Sequence, residues 1–145
     1  MVYTSEFPII SVTVDAVCLA ERDGAVHVLL VERGGEPFAG RLAFPGGFVE
    51  VDEDLPAAAA RELVEETGIV LSVPLEQLRT YGAPGRDPRG RTVTTAYVAR
   101  VPQMDEPVGG SDAAAAGWHR VDDVLAEDLL AFDHAEILRD ALTLA

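Results

Sequence analysis

The sequence predicts one mixed α/β domain covering residues 1–145, and three observations predict it. Apolar runs rich in Val and Ile read as strands on both sides of the middle of the chain. Between Asp54 and Thr67 the apolar period changes from two to about 3.6 residues, the signature of an amphipathic helix. No repeat, internal linker or break in composition divides the chain, and 145 residues suit one packed core.

Ile9–Leu19 alternates imperfectly and reads as the first strand. Glu21-Arg22-Asp23-Gly24 turns the chain into a second strand, Val26–Glu32, which makes a hairpin. A glycine-rich loop from Gly34 to Gly40 leads to a short apolar piece, Leu42–Phe44, and then to Pro45-Gly46-Gly47. The helix at Asp54–Thr67 carries its own punctuation: Asp54 as N-cap, Pro56 in the first turn, Gly68 to end it. Leu75–Tyr81 and Thr92–Val101 read as strands joined by the Gly/Pro/Arg-rich stretch Gly82–Arg91. Trp118-His119 ends a short strand, and Val121–Ala126 and Asp133–Leu144 read as helices.

Composition excludes several function classes. Eleven basic residues against twenty-five acidic ones give a formal charge of −14, which opposes binding to nucleic-acid backbones and anionic membranes. Every basic residue is arginine, so lysine nucleophiles and Schiff bases are out. Cys18 stands alone, forms no intramolecular disulfide, and reads as a core residue. No signal peptide and no membrane-length apolar run is present, which points to a cytoplasmic protein. An acidic protein can still take an anionic substrate where a bound cation reverses the local sign.

The 54–67 helix offers such a place. Ala60, Leu63, Val64 and Thr67 share one apolar face, and Glu62, Glu65 and Glu66 share an arc of roughly 100° opposite it. Glu62 and Glu66 are i,i+4 neighbours, an arrangement that costs an isolated helix about 0.2–0.5 kcal/mol. Two readings stand: a solvated acidic face, or a site for Mg²⁺ or Mn²⁺, which prefer carboxylate oxygens and retain water.

The surrounding spacing is Gly47, five residues, Glu53, seven residues, then Arg61-Glu62-Leu63-Val64-Glu65-Glu66-Thr67-Gly68-Ile69. It resembles the Nudix box, Gly-x5-Glu-x7-Arg-Glu-U-x-Glu-Glu-x-Gly-U with U a bulky aliphatic, at every specified position. The resemblance implies the Nudix fold, a mixed β-sheet in an α/β/α sandwich with a loop–helix–loop catalytic motif. It implies divalent-metal-dependent hydrolysis of a nucleoside diphosphate linked to another moiety. Glu62 and Glu66, helped by Glu65, would ligate Mg²⁺ or Mn²⁺, together with the backbone carbonyl of Gly46. Arg61 would hold Glu65, and Glu53 would support the loop with a weaker part in the metal network. Gly46-Gly47 would let the backbone approach metal and phosphate, and Gly68 would turn the chain out of the helix. The general base would be Glu66 or Glu65, or one of Asp105, Glu106 and Asp112 outside the box.

The other moiety is read from the stretch Tyr81–Arg91. Pro84, fifteen residues beyond Ile69, resembles the proline that marks the ADP-ribose pyrophosphatase subgroup. Arg86-Asp87-Pro88-Arg89-Gly90-Arg91 and Leu130-Ala131-Phe132-Asp133-His134-Ala135 are similar to that subgroup as well. Arg86, Arg89 and Arg91 are therefore candidates for phosphate or ribose contacts, against a plain turn. Arg33 and Arg41, flanking the loop before the box, are phosphate candidates that compete with solvated surface arginines. Phe48 either stacks on a base or is buried. Trp118 reads as core, and His27, His119 and His134 are too scattered for a metal site, with His134 placed to order a helix start.

The expected reaction converts ADP-ribose to AMP and ribose 5-phosphate. The alternatives are a pyrophosphohydrolase that clears oxidised (d)NTPs and a non-catalytic ADP-ribose-binding module, which relatives join to a DNA-binding domain. A homodimer is expected, as in many relatives, with Phe7–Val14 at its interface or else in the core.

Overall fold

The computed structural model describes residues 4–108 and 113–144. Its elements run β1 (Ser11–Arg22), β2 (Ala25–Arg33), β3 (Leu42–Ala43), β4 (Gly46–Phe48), α1 (Leu55–Thr67), β5 (Glu76–Tyr81), β6 (Thr92–Arg100), β7 (Ala113–Arg120), α2 (Val121–Ala126) and α3 (His134–Leu142). The strands form one sheet in the order β3-β2-β1-β6-β5, with β4 also pairing β1 and β7 also pairing β2. β1 and β6 are parallel, whereas the other strand pairs are antiparallel. The sheet is therefore mixed, as expected.

Alternation along β1 builds the sandwich. Val17 and Leu19 face a core shared with Val28, Leu30, Val98 and the α2 and α3 residues Val124, Ile137 and Leu138. Val14, Ala16 and Cys18 face the other way, towards Ala58, Ala59 and Leu63 of α1. Helices cover both sides, so β1 is apolar on both faces, which explains why its alternation is imperfect. Burial accounts for Cys18 as a core residue, and it pushes the thiol up to about 12. The hairpin closes on Asp23-Gly24, both left-handed at φ 53° and 78°, the geometry of a tight type I′ turn.

Three expectations are corrected. The first strand begins at Ser11, not Ile9, and of the segment Phe7–Val14 burial in the core explains Val14 but not Phe7, Ile9, Ile10 and Val12, which are exposed (Phe7 at 75%). β4 was not legible, because Gly46-Gly47 reads as a break rather than as a strand. The buried face of α1 is Ala58, Ala59, Leu63 and Thr67, while Ala60 and Val64 are exposed. The helix is rotated because it lies against β1 and β4, and the rotation brings Glu62 and Glu66 towards β4 and leaves Glu65 outside. Its caps are as predicted: the Asp54 carboxylate accepts from the Leu55 N–H, and Gly68 takes φ 72°.

Candidate active site

A cleft of about 580 Å³ opens between β4, the face of α1 bearing Glu62 and Glu66, the loop before β6 and the turn before α3. That volume suits a nucleotide-sized ligand. β4 makes its inner wall. A Cβ on Gly46 would sit 2.2 Å from the Val14 carbonyl oxygen, and one on Gly47 would sit 2.6 Å from Glu62 Oε1. Glycine is required at Gly46 because the β1 backbone presses on it, whereas a side chain at Gly47 would displace the Glu62 carboxylate.

Arg61 organises the box carboxylates. It forks onto Glu53, with Nε–Oε2 at 2.9 Å and Nη2–Oε1 at 2.6 Å. Its Nη1 reaches Glu62 at 2.9 Å and Glu65 at 3.1 Å, and its Nη2 donates to the Phe48 carbonyl at 3.2 Å. The hydrogen bonds from Arg61, joined by one from the Glu50 N–H, hold the Glu53 carboxyl down at about 2. Glu66 is placed differently. Burial pushes its carboxyl up to about 8 against the Gly46 N–H that donates to it at 2.7 Å, and the negative charges of Glu62, Asp15 and Glu65 push the same way. Burial likewise raises Glu62, with Arg61 opposing. One end of the cleft thus holds two carboxyl groups whose ionisation the protein leaves incompletely compensated.

Arginines occupy the other wall. Arg89 reaches Asp87 through Nε at 3.1 Å and Nη2 at 2.8 Å. Its guanidinium carbon lies 5.7 Å from the Phe48 ring centroid and 5.6 Å from that of Phe132. Arg33 covers the Phe132 ring at 4.8 Å and donates to the Pro37 carbonyl at 2.7 Å. Arg86, almost fully buried, is committed to Asp133 through two bonds of 2.8 Å and 2.7 Å.

Comparison with known proteins decides the family. The NUDIX domain model matches residues 10–141. The chain belongs to the Nudix family. It is 37% identical over 130 residues to the ADP-ribose pyrophosphatase of Methanocaldococcus jannaschii, covering 90% of this chain and 72% of that one. It is 36% identical to the ADPR responsive transcriptional repressor NtrR of Acinetobacter baylyi over 94% of its own length, but spans only 55% of the repressor. The NUDIX domain of Shewanella oneidensis NrtR complexed with ADP ribose superposes with a TM-score of 0.85 at 36% identity, covering 93% of this chain and 88% of that one. Family and relatives together make the chain a Nudix pyrophosphohydrolase, similar in sequence to an ADP-ribose pyrophosphatase.

The Nudix cleft gathers Gly46, Gly47, Phe48, Arg61, Glu62, Glu66, Arg33, Arg86 and Arg89 from the predicted set. Glu53 stands behind Arg61, and Glu65 is exposed outside the cleft with Arg61 as its partner. Arg41 is spent elsewhere, donating to the carbonyls of Leu130 and Asp128 and pairing with the Asp128 carboxylate. Pro84 and Arg91 are exposed and do not line the cleft, nor do Asp105 and Glu106; Asp112 lies outside the described residues. Phe48 is 51% exposed, so it is not the buried aromatic that competed with a stacking role. Trp118 is partly buried, with its indole N–H on the Asp105 carbonyl at 2.8 Å.

Sequence reasoning missed Asp15, Asp87, Phe132 and His134 as cleft-lining residues, and Asp133 as the anchor of Arg86. Asp15 carried a signal: it is the one charged residue within the apolar run Val12–Leu19. Asp87 read as a turn residue and Phe132-Asp133-His134 as a helix start, both within stretches similar to the ADP-ribose pyrophosphatase subgroup, and none of them was assigned to the cleft.

Proposed function

We propose that this Nudix pyrophosphohydrolase cleaves ADP-ribose to AMP and ribose 5-phosphate with Mg²⁺ or Mn²⁺. One observation carries the reading: the undercompensated carboxylates Glu62 and Glu66 line one cleft together with Arg33 and Arg89. Among the described residues no three acidic, His or Cys side chains converge as a ready-made cation cage. Mg²⁺ does not need one, since it keeps several waters and takes only one or two carboxylates. The hard-oxygen donor set therefore fits, with Glu62 and Glu66 as ligands beside the Gly46 carbonyl. A bound cation would neutralise the diphosphate and lower the pKa of water.

Arg33 and Arg89 would take the phosphate charge of the substrate, with Phe48 and Phe132 offering ring faces to the base. Water oxygen would attack one phosphorus, the bridging P–O bond would break, and the proton would pass to a carboxylate of the cleft, which we take to be Glu66. Glu65 acts only through Arg61, and Glu53 holds Arg61 in place. Arg86 shapes the wall, and Pro84 contributes as a subgroup marker. We read residues 1–145 as one cytoplasmic domain, and the exposed Phe7, Ile9, Ile10 and Val12 favour a homodimer. The likeness to NtrR favours a second reading, an ADP-ribose sensor, although the charge of −14 opposes contact with DNA by this chain.

The test is phosphatase-coupled phosphate release from ADP-ribose, NADH, sugar nucleotides, dinucleoside polyphosphates and oxidised dNTPs, with Mg²⁺ or with EDTA. Metal-dependent preference for ADP-ribose is expected. Preference for oxidised dNTPs overturns the substrate, and tight ADP-ribose binding without turnover establishes the sensor. Arg89→Ala is expected to raise KM for ADP-ribose about tenfold, the worth of one charge-assisted phosphate contact. The variant should also melt lower, because Arg89 pairs the Asp87 carboxylate, whose side chain is only 3% exposed; an unchanged KM would remove Arg89 from the substrate contacts.

A further inference from the structure

β3 ends at Ala43 and β4 starts at Gly46, so Phe44 and Pro45 lie outside the sheet and need other anchors. Each of three successive residues has one, and each anchor comes from a different element. The Phe44 N–H donates to His134 Nδ1 of α3 at 3.2 Å. The Pro45 carbonyl accepts from the Ala16 N–H of β1 at 2.8 Å. The Gly46 N–H donates to Glu66 of α1 at 2.7 Å.

His134 is only 4% exposed and stacks on the Phe44 ring with centroids 4.7 Å apart at 21°. Because Nδ1 accepts, the ring proton resides on Nε2. Nε2 faces Asp15 Oδ1 at 3.6 Å, and Asp15 Oδ2 accepts from the Thr94 hydroxyl at 2.7 Å. Asp15 in turn pairs with Gly46 across β1 and β4. On the other side, the Phe132 ring centroid is 5.5 Å from that of His134, and Asp133 fixes Arg86.

We infer that His134 is a positioning residue that fixes the Phe44-Pro45-Gly46 turn, and through it the relation of Gly46 to Glu66. The turn before α3 thereby sets both walls of the cleft. A metal-proximal backbone held by a neutral, oriented imidazole behaves as outer-shell support does elsewhere, where its loss commonly costs about 10–100-fold in metal affinity. The inference rests on the reading of Glu66 and Gly46 as metal ligands for its effect on activity, but not for the clamp itself.

Two variants separate positioning from plain packing. His134→Leu removes the acceptor, whereas His134→Asn can present its amide oxygen where Nδ1 stood. Three quantities are measured: NMR hydrogen exchange at the Phe44 and Gly46 amides, Mn²⁺ affinity by calorimetry, and kcat and KM for ADP-ribose. In His134→Leu both amides should exchange at least about tenfold faster relative to Leu63 of α1. Mn²⁺ affinity and kcat should each fall about tenfold or more, with KM changed far less. His134→Asn should recover most of each. Unchanged exchange at Gly46 in His134→Leu, or no recovery in His134→Asn, overturns the inference even where both variants melt lower. Wild type that neither binds Mn²⁺ nor turns over ADP-ribose overturns the proposed function instead, and the exchange data still decide the clamp.

Discussion

Glu66→Gln should lower ADP-ribose hydrolysis by about three orders of magnitude and yet melt above wild type when both are metal-free at pH 8.5 or higher. The two effects share one cause. Burial and three neighbouring carboxylates raise the Glu66 carboxyl from its ordinary 4.5 to about 8. A carboxyl raised on folding opposes the fold once it ionises. That cost is absent below pH 4.5, grows between 4.5 and 8, and is complete above 8. The neutral amide never incurs it, and its oxygen can still accept from the Gly46 N–H in the same volume. At pH 8.5 the variant should gain on the order of 2 kcal/mol, a value kept small because solvent reaches the half-buried group. That corresponds to several degrees in melting temperature.

Saturating Mn²⁺ should reverse the order. Wild type gains stability from the cation, whereas the variant, short of a ligand and a charge, gains little. Scanning calorimetry at pH 6 and 8.5, with EDTA or Mn²⁺, reads all four conditions. A variant that melts below wild type in EDTA at pH 8.5 would show that Glu66 is not strained by its surroundings. Near-wild-type turnover would remove it from the metal and base roles together.

The contrast between Glu66 and Glu65 shows where the sequence stops being informative. Both are fixed positions of the box, and helical geometry places both on one acidic arc. Only the packing of α1 against β1 and β4 decides that Glu66 is buried beside Gly46 and Glu65 is outside. Helix caps and the β1–β2 hairpin were legible because their signals are local: a capping Asp54, a closing Gly68, an Asp-Gly turn. β4 was not, because its pairing with β1 is a long-range fact and its glycines are chosen for close approach rather than for strand propensity. The arginines show the same limit. Sequence offered Arg33, Arg41, Arg86, Arg89 and Arg91 as equals, and tertiary partners divide them. Asp133 takes up Arg86 and the Leu130 and Asp128 carbonyls take up Arg41, while Arg33 and Arg89 stay beside the rings at the cleft.

Arg61→Met should cost about a hundredfold in kcat and several degrees of melting temperature at pH 7, with the loss of stability shrinking in acid. Arg61 hydrogen-bonds three carboxylates and the Phe48 carbonyl at once, with the Glu50 carboxylate 3.8 Å away as a fourth. Removing it leaves Glu53, Glu62 and Glu65 as uncompensated like charges and frees the strand end that carries Phe48. The pH dependence follows from Glu53, whose carboxyl Arg61 holds at about 2, below its ordinary 4.5. A carboxyl lowered on folding contributes stability that is fully present above 4.5 and is lost as the pH falls towards 2. The melting gap between wild type and Arg61→Met should therefore be wide at pH 7 and close progressively below pH 4.5. Arg61→Lys should recover little, because an ammonium is one point of charge and cannot fork onto Glu53 while reaching Glu62. Circular dichroism melts from pH 7 down to pH 2.5 make the comparison. A gap of constant width across that range would assign the contribution of Arg61 to packing of its stem, and full activity in Arg61→Lys would show that charge alone, without the fork, holds the box together.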